Sequence, residues 1–160
     1  MDSPVDPLLV TASGGALTGV FFNPHKGIEQ RTRVAGDGWE RRDDDPVLGE
    51  ARTQLQEYFA HERQVFDLPT SVAGSRFQLR VWNALSEIGY GTTRSYGDIA
   101  VRLGLPLTAS RAVGRANGSN PLSVVVPCHR VIGADGSLTG FGGGAERKRF
   151  LLDLETPLLF

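Results

Sequence analysis

The chain has 160 residues, of which 40% are hydrophobic and 22% charged, with a formal net charge of −1. That is enough chain for one sizeable core, or for one small lobe beside a somewhat larger one. No apolar run approaches the roughly 18 residues of a membrane-spanning helix, and the acidic start Met1-Asp2-Ser3-Pro4-Val5-Asp6 lacks the pattern of a signal peptide. An intracellular, cytoplasmic protein with no membrane partner is therefore expected, its sole cysteine kept reduced.

Leu8-Leu9-Val10-Thr11 and Ala16-Leu17-Thr18-Gly19-Val20-Phe21-Phe22 read as strands joined by a turn at Ser13-Gly14-Gly15. A weaker alternation over residues 27–34 suggests a third strand. Asp43-Asp44-Asp45-Pro46 then opens a helix, an acidic cap followed by proline at the first helical position. Val47, Leu48, Ala51, Leu55, Tyr58 and Phe59 fall on one face of it. The loop containing Pro69 and Gly74 marks a change of charge. Residues 1–71 carry 7 Lys/Arg and 12 Asp/Glu, whereas residues 72–160 carry 10 and 6. The boundary is placed there, giving an N-terminal α/β lobe over 1–72 and a C-terminal lobe over 73–160.

The second lobe reads as mostly helical. Phe77, Val81, Trp82, Leu85 and Ile88 form a helical stripe ending before Gly89-Tyr90-Gly91, and Ser95 caps a short helix carrying Ile99, Ala100 and Leu103. The turn Gly104-Leu105-Pro106-Leu107 leads to a helix from about Thr108 to Ala116, which makes a helix-turn-helix candidate. An apolar strand, Leu122-Ser123-Val124-Val125-Val126, runs into Cys128. The glycine-rich loop Gly140-Phe141-Gly142-Gly143-Gly144 precedes a last helix with Phe150, Leu151 and Leu154 facing inward.

Two segments carry candidate chemistry. One cysteine in the whole chain makes no intramolecular disulfide and anchors no thiolate-rich zinc site. Cys128 is either a small buried hydrophobe or a nucleophile. The neighbouring base His129 and cation Arg130 favour the nucleophile, because such neighbours lower a thiol pKa. The second segment is Ala109 to Ala116, which alternates small residues with Arg111 and Arg115. It is a tightly packed core helix, or one whose backbone presses against a narrow surface such as the minor groove of DNA. A basic, arginine-based half of the chain suits phosphates, and equally a merely solvated surface.

From about residue 74 to 155 the order of motifs resembles the O6-alkylguanine-DNA alkyltransferases. The matching runs are Gly74-Ser75-Arg76-Phe77-Gln78-Leu79-Arg80-Val81-Trp82, Tyr90-Gly91-Thr92-Thr93-Arg94-Ser95-Tyr96, Arg111-Ala112-Val113-Gly114, Asn120-Pro121, Pro127-Cys128-His129-Arg130-Val131 and the glycine-rich loop. The hairpin and the helix ending Glu57-Tyr58-Phe59 resemble the same family more loosely. The resemblance implies a small antiparallel sheet with a helix (ribonuclease H-like), followed by a helical lobe with a helix-turn-helix. It implies a stoichiometric transfer of an alkyl group from guanine O6, with thymine O4 as a second candidate, to Cys128 in duplex DNA, after the base is flipped out. His129 and Glu155 would form a relay with the thiol, His129 reaching it through a water. Tyr96 would help rotate the nucleotide and donate to guanine N3. Arg111 would fill the gap in the stack, Ala112 and Arg115 would face DNA, and Asn120, Val131, Phe141 and Gly142 would belong to the substrate pocket. No cofactor or metal is implied, and a monomer of prokaryotic source is expected.

The chain departs from the family pattern in places. The stretch between Tyr96 and Arg111 is one residue longer. Phe141 stands where many members have tyrosine, and Gly142 where some have serine. His25 and His61 have no cysteine partners for a zinc site and read as surface residues. An alkyltransferase-like protein, which binds the lesion without transfer, commonly has tryptophan in place of the cysteine that is present here. A helix-turn-helix regulator would leave Cys-His-Arg unused, and a cysteine hydrolase would turn over.

Overall fold

A computed structural model describes residues 1–23 and 40–157 and divides the chain into two compact units, Met1–Ser71 and Val72–Phe160. The strand expected over 27–34, and His25, lie outside the described residues.

In the first unit, β1 (Leu9–Ser13) and β2 (Ala16–Phe21) pair antiparallel. The two-residue connection is Gly14-Gly15, with φ of 58° and 80°, the left-handed conformation that a tight hairpin turn demands. Residues 69–71 run beside β2, where Leu17 N donates to Pro69 O and Ser71 N to Leu17 O. Helix α1 (Pro46–Phe59) starts as its sequence dictates: the Asp45 carboxylate accepts from Val47 N and Leu48 N. It lies against the hairpin and buries Ala51, Gln54, Leu55 and Tyr58. Burying a side chain such as Leu55 stabilises the unit by about 1.5–3 kcal/mol.

The second unit is built on helices α2 (Arg76–Leu85), α3 (Tyr96–Arg102), α4 (Ser110–Gly118) and α5 (Ala145–Glu155). Capping boxes start α2, through Ser75 and Gln78, and α3, through Ser95 and Asp98. Val81, Trp82, Leu85, Ile99, Ala100, Val113 and Val131 form its core. The Trp82 indole crosses that core to donate to Ala116 O at 2.8 Å, which ties α2 to α4. Between α3 and α4, a left-handed Gly104 (φ 72°) and a 3-10 turn at Leu107–Ala109 take up the longer connection. Helix α4 proper therefore begins at Ser110, two residues later than expected.

Two expectations are corrected. Residues 123–125 are turn and Leu122 is only a bridge residue, so 122–126 is not a strand. Val125 N bonds Ser123 O, Val126 N bonds Leu122 O, and Val124 has φ 70°. Asn120 explains this, because its Oδ1 accepts from Leu122 N and its Nδ2 donates to Val126 O. A side chain that satisfies backbone groups locally competes with a sheet ladder. The strand comes after the cysteine: β4 (Val131–Ile132) pairs in parallel with β3 (Arg94–Ser95). The buried face of α5 also differs. Lys148, Leu151 and Glu155 face inward, while Leu154 is half-buried and Phe150 is 37% exposed.

Candidate active site

Pro127 ends the folded-back segment, and Cys128–Arg130 form a 3-10 turn that places all three side chains inside the second unit. The last residue of α5 meets them there. Glu155 accepts from His129 Nε2 at 2.7 Å, from Arg130 Nε and Nη2 at 2.9 Å each, and from Gly91 N at 3.2 Å. Arg130 Nη1 donates to Ile88 O at 2.6 Å. Arg130 is thus held by a fork-to-fork pair with the carboxylate. This corrects the expectation that Arg130 is the cation activating the thiol.

An ionised carboxylate only accepts, so the hydrogen bond to Glu155 places the imidazole proton on Nε2 and leaves Nδ1 with a lone pair. Nδ1 is buried with no hydrogen-bond partner among the described residues. Burial lowers the His129 pKa, against the opposing pull of Glu155. The side chain is therefore a neutral, oriented base.

Cys128 is 3% exposed, and burial pushes its thiol up to about 11. The Asn120 side chain, the charge of Lys148 and the backbone N–H groups of Cys128 and His129 pull it back in part. The cation that faces the thiol is therefore Lys148, from α5, a residue the sequence reading passed over. Its Nζ donates to Thr139 O at 3.2 Å and to the Tyr96 hydroxyl at 3.4 Å, and it lies 5.7 Å from the ring centres of both Tyr96 and Phe141. Burial lowers Lys148 to about 8, with Cys128 acting in the opposite direction. Tyr96 donates to Thr139 O, and burial followed by the charge of Cys128 raises it to about 12.

Beside this cluster opens a cavity of about 640 Å³, lined among others by Tyr96, Arg111, Gly114, Arg115, Phe141 and Gly142. It brings together five of the residues singled out in the sequence. Asn120 and Val131, expected in the pocket wall, are not in its lining: Asn120 is 6% exposed and shapes the approach to Cys128, and Val131 is fully buried in the core. Ala112 is exposed on α4 and is not among the lining residues, and His61 is exposed. Among the described residues, no group of His, Cys, Asp and Glu has the arrangement of a metal site, and no helix is long and apolar enough to cross a membrane.

Comparison with known proteins agrees with this geometry. Residues 76–157 match the family model for the 6-O-methylguanine DNA methyltransferase DNA binding domain, and residues 1–72 match that for its ribonuclease-like domain. A methylated-DNA–protein-cysteine methyltransferase of Mycobacterium bovis is 48% identical over 155 residues, covering 97% of this chain and 89% of its own. The crystal structure of a Mycobacterium tuberculosis O6-methylguanine methyltransferase superposes with a TM-score of 0.85 at 48% identity, over 97% of this chain and 89% of that one. A Mycobacterium tuberculosis relative crystallised in complex with DNA gives a TM-score of 0.80 at 46% identity, with the same coverage. The two family models account for both units, and the chain belongs to the 6-O-methylguanine DNA methyltransferase family.

Proposed function

We propose that this protein reverses alkylation damage in duplex DNA by moving the alkyl group from guanine O6 to Cys128, once per molecule. The observation that carries the assignment is the buried Glu155–His129 pair, whose histidine is the neighbour in sequence of the only cysteine. A thiol raised to about 11 is protonated at neutral pH, so it needs a base at the moment of reaction. His129 Nδ1 takes that proton through a bridging water, and Glu155 stabilises the resulting imidazolium.

The thiolate attacks the alkyl carbon in line. The S–C bond forms, the C–O6 bond breaks, and its electron pair stays on the guanine. Tyr96 turns its hydroxyl from Thr139 O to guanine N3 and donates a proton there. Lys148, within hydrogen-bond distance of that hydroxyl, supplies the compensating charge. The product is a thioether, which water does not cleave, so the protein does not turn over. The lesion reaches the thiol only after leaving the duplex. Arg111 takes its place in the stack, and Arg115 contacts the backbone beside the small-residue surface of α4. The protein acts as a monomer in the cytoplasm, where the thiol stays reduced.

Incubation with O6-methylguanine duplex should add one methyl group to the peptide containing Cys128, read by mass spectrometry. Repeated turnover would overturn the assignment. DNA binding with no label would favour a lesion-binding protein without transfer. The Cys128→Ser variant should lose transfer and keep DNA binding. The Arg111→Ala variant should slow repair of duplex DNA more than reaction with free O6-benzylguanine, and equal losses would remove Arg111 from the base-flipping step.

A further inference from the structure

The last turn of α4 carries a buried polar residue that the transfer scheme does not use. Asn117 is 1% exposed, and its side-chain nitrogen donates to Cys128 O at 3.3 Å and to Gly140 O at 3.1 Å. One carbonyl opens the 3-10 turn of the acceptor thiol. The other lies in the glycine-rich loop, whose Phe141 and Gly142 line the cavity. The same side chain also hydrogen-bonds Tyr96, where it opposes the rise of the phenol pKa. The side-chain oxygen is buried with no hydrogen-bond partner among the described residues. A buried unpaired acceptor is destabilising, so stability alone does not favour asparagine here.

The backbones around it leave little slack. A Cβ on Gly118 would meet Gly140 O at 3.4 Å, and a Cβ on Gly142 would meet Gly118 O at 3.0 Å. The end of α4 and the glycine-rich loop are in close contact, and the Asn117 amide extends that contact to the cysteine turn.

We propose that Asn117 is a positioning residue, fixing the separation between the Cys128 turn and the Gly140 loop so that the thiol and the alkylated base meet at attacking distance. The inference rests on the alkyl-transfer reading. Alignment of reacting atoms is steeply distance-dependent, and a misplacement of about 1 Å slows a reaction about 100-fold. Asn117 therefore acts on the rate of the chemical step, not on DNA affinity.

The test is single-turnover labelling of Cys128 by O6-methylguanine duplex over a range of DNA concentrations, for wild type, Asn117→Leu and Asn117→Asp. Leucine has a similar size and no donor, and aspartate keeps the shape and only accepts at neutral pH. The saturating rate should fall roughly tenfold or more, with the half-saturating DNA concentration within about twofold of wild type and nearly every molecule labelled at completion. A merely structural role would lower the labelled fraction and leave the rate of the remaining molecules unchanged, which would overturn the proposal. A change confined to half-saturation would also overturn it. If neither variant folds, Gly142→Ala sets a new Cβ 3.0 Å from Gly118 O and presses the loop against the end of α4 with Asn117 intact, and an unchanged saturating rate there would count against the inference. Absence of label in the wild type would instead refute the transfer reading itself.

Discussion

Lys148 is the side-chain charge that acts on the thiol, after burial and the Asn120 hydrogen bond. Its ordinary value is 10.5, and burial brings it to about 8 in the folded chain. Between those values the unfolded chain holds the proton and the folded chain releases it. Stability therefore rises with pH across about 8 to 10.5 on account of this residue. The Lys148→Met variant lacks the effect. Denaturant unfolding over that range should show wild type gaining stability relative to the variant, and a constant difference would mean that Lys148 is not a desolvated cation. Asn117 and Lys148 share the reason they escaped a reading of the sequence. Each is a polar residue at a core-facing helical position, where periodicity looks for apolar ones. Cys128, His129 and Glu155 were legible because their spacing matches a known family. That spacing carries no sign that Glu155 also binds Arg130, since the partners of a buried guanidinium depend on tertiary packing.

At the scale of elements, the starts were easier to read than the interiors. Asp45-Pro46, the Ser95 box and Gly14-Gly15 are local chemistry, settled within three or four residues. The segment 122–126 was not, because an apolar run signals burial without saying whether the backbone pairs across a sheet or folds on itself. There the decision belongs to the Asn120 side chain. The last helix misled for a related reason: its exposed Phe150 and buried Lys148 invert the usual pattern. The glycine-rich loop offers a sharper test. Gly140 has φ 75°, and a Cβ there would run into the Tyr96 hydroxyl. Gly140→Ala should lose about 1 kcal/mol or more of stability through backbone strain. It should also slow labelling of Cys128 by displacing Tyr96, and an unaltered rate would show that the position of that hydroxyl is not critical.

Over the whole molecule, charge is divided between the two units as the sequence indicates, with 10 Lys/Arg against 6 Asp/Glu from residue 72 onward. Arg111 and Arg115 are exposed on α4, beside the cavity. Each phosphate contact contributes about 0.9 to the slope of log affinity against log salt. Arg115→Ala should therefore reduce that slope by about one unit, measured as DNA binding in the Cys128→Ser background, and an unchanged slope would place Arg115 outside the phosphate interface. The buried thiol has a consequence of a different kind. A molecule that works once resembles a stored reagent, and its usefulness depends on surviving the wait. Thiolate character and exposure govern attack by oxidants and stray electrophiles, and Cys128 has little of either at rest. The same burial that makes the thiol need a base gives it a long shelf life.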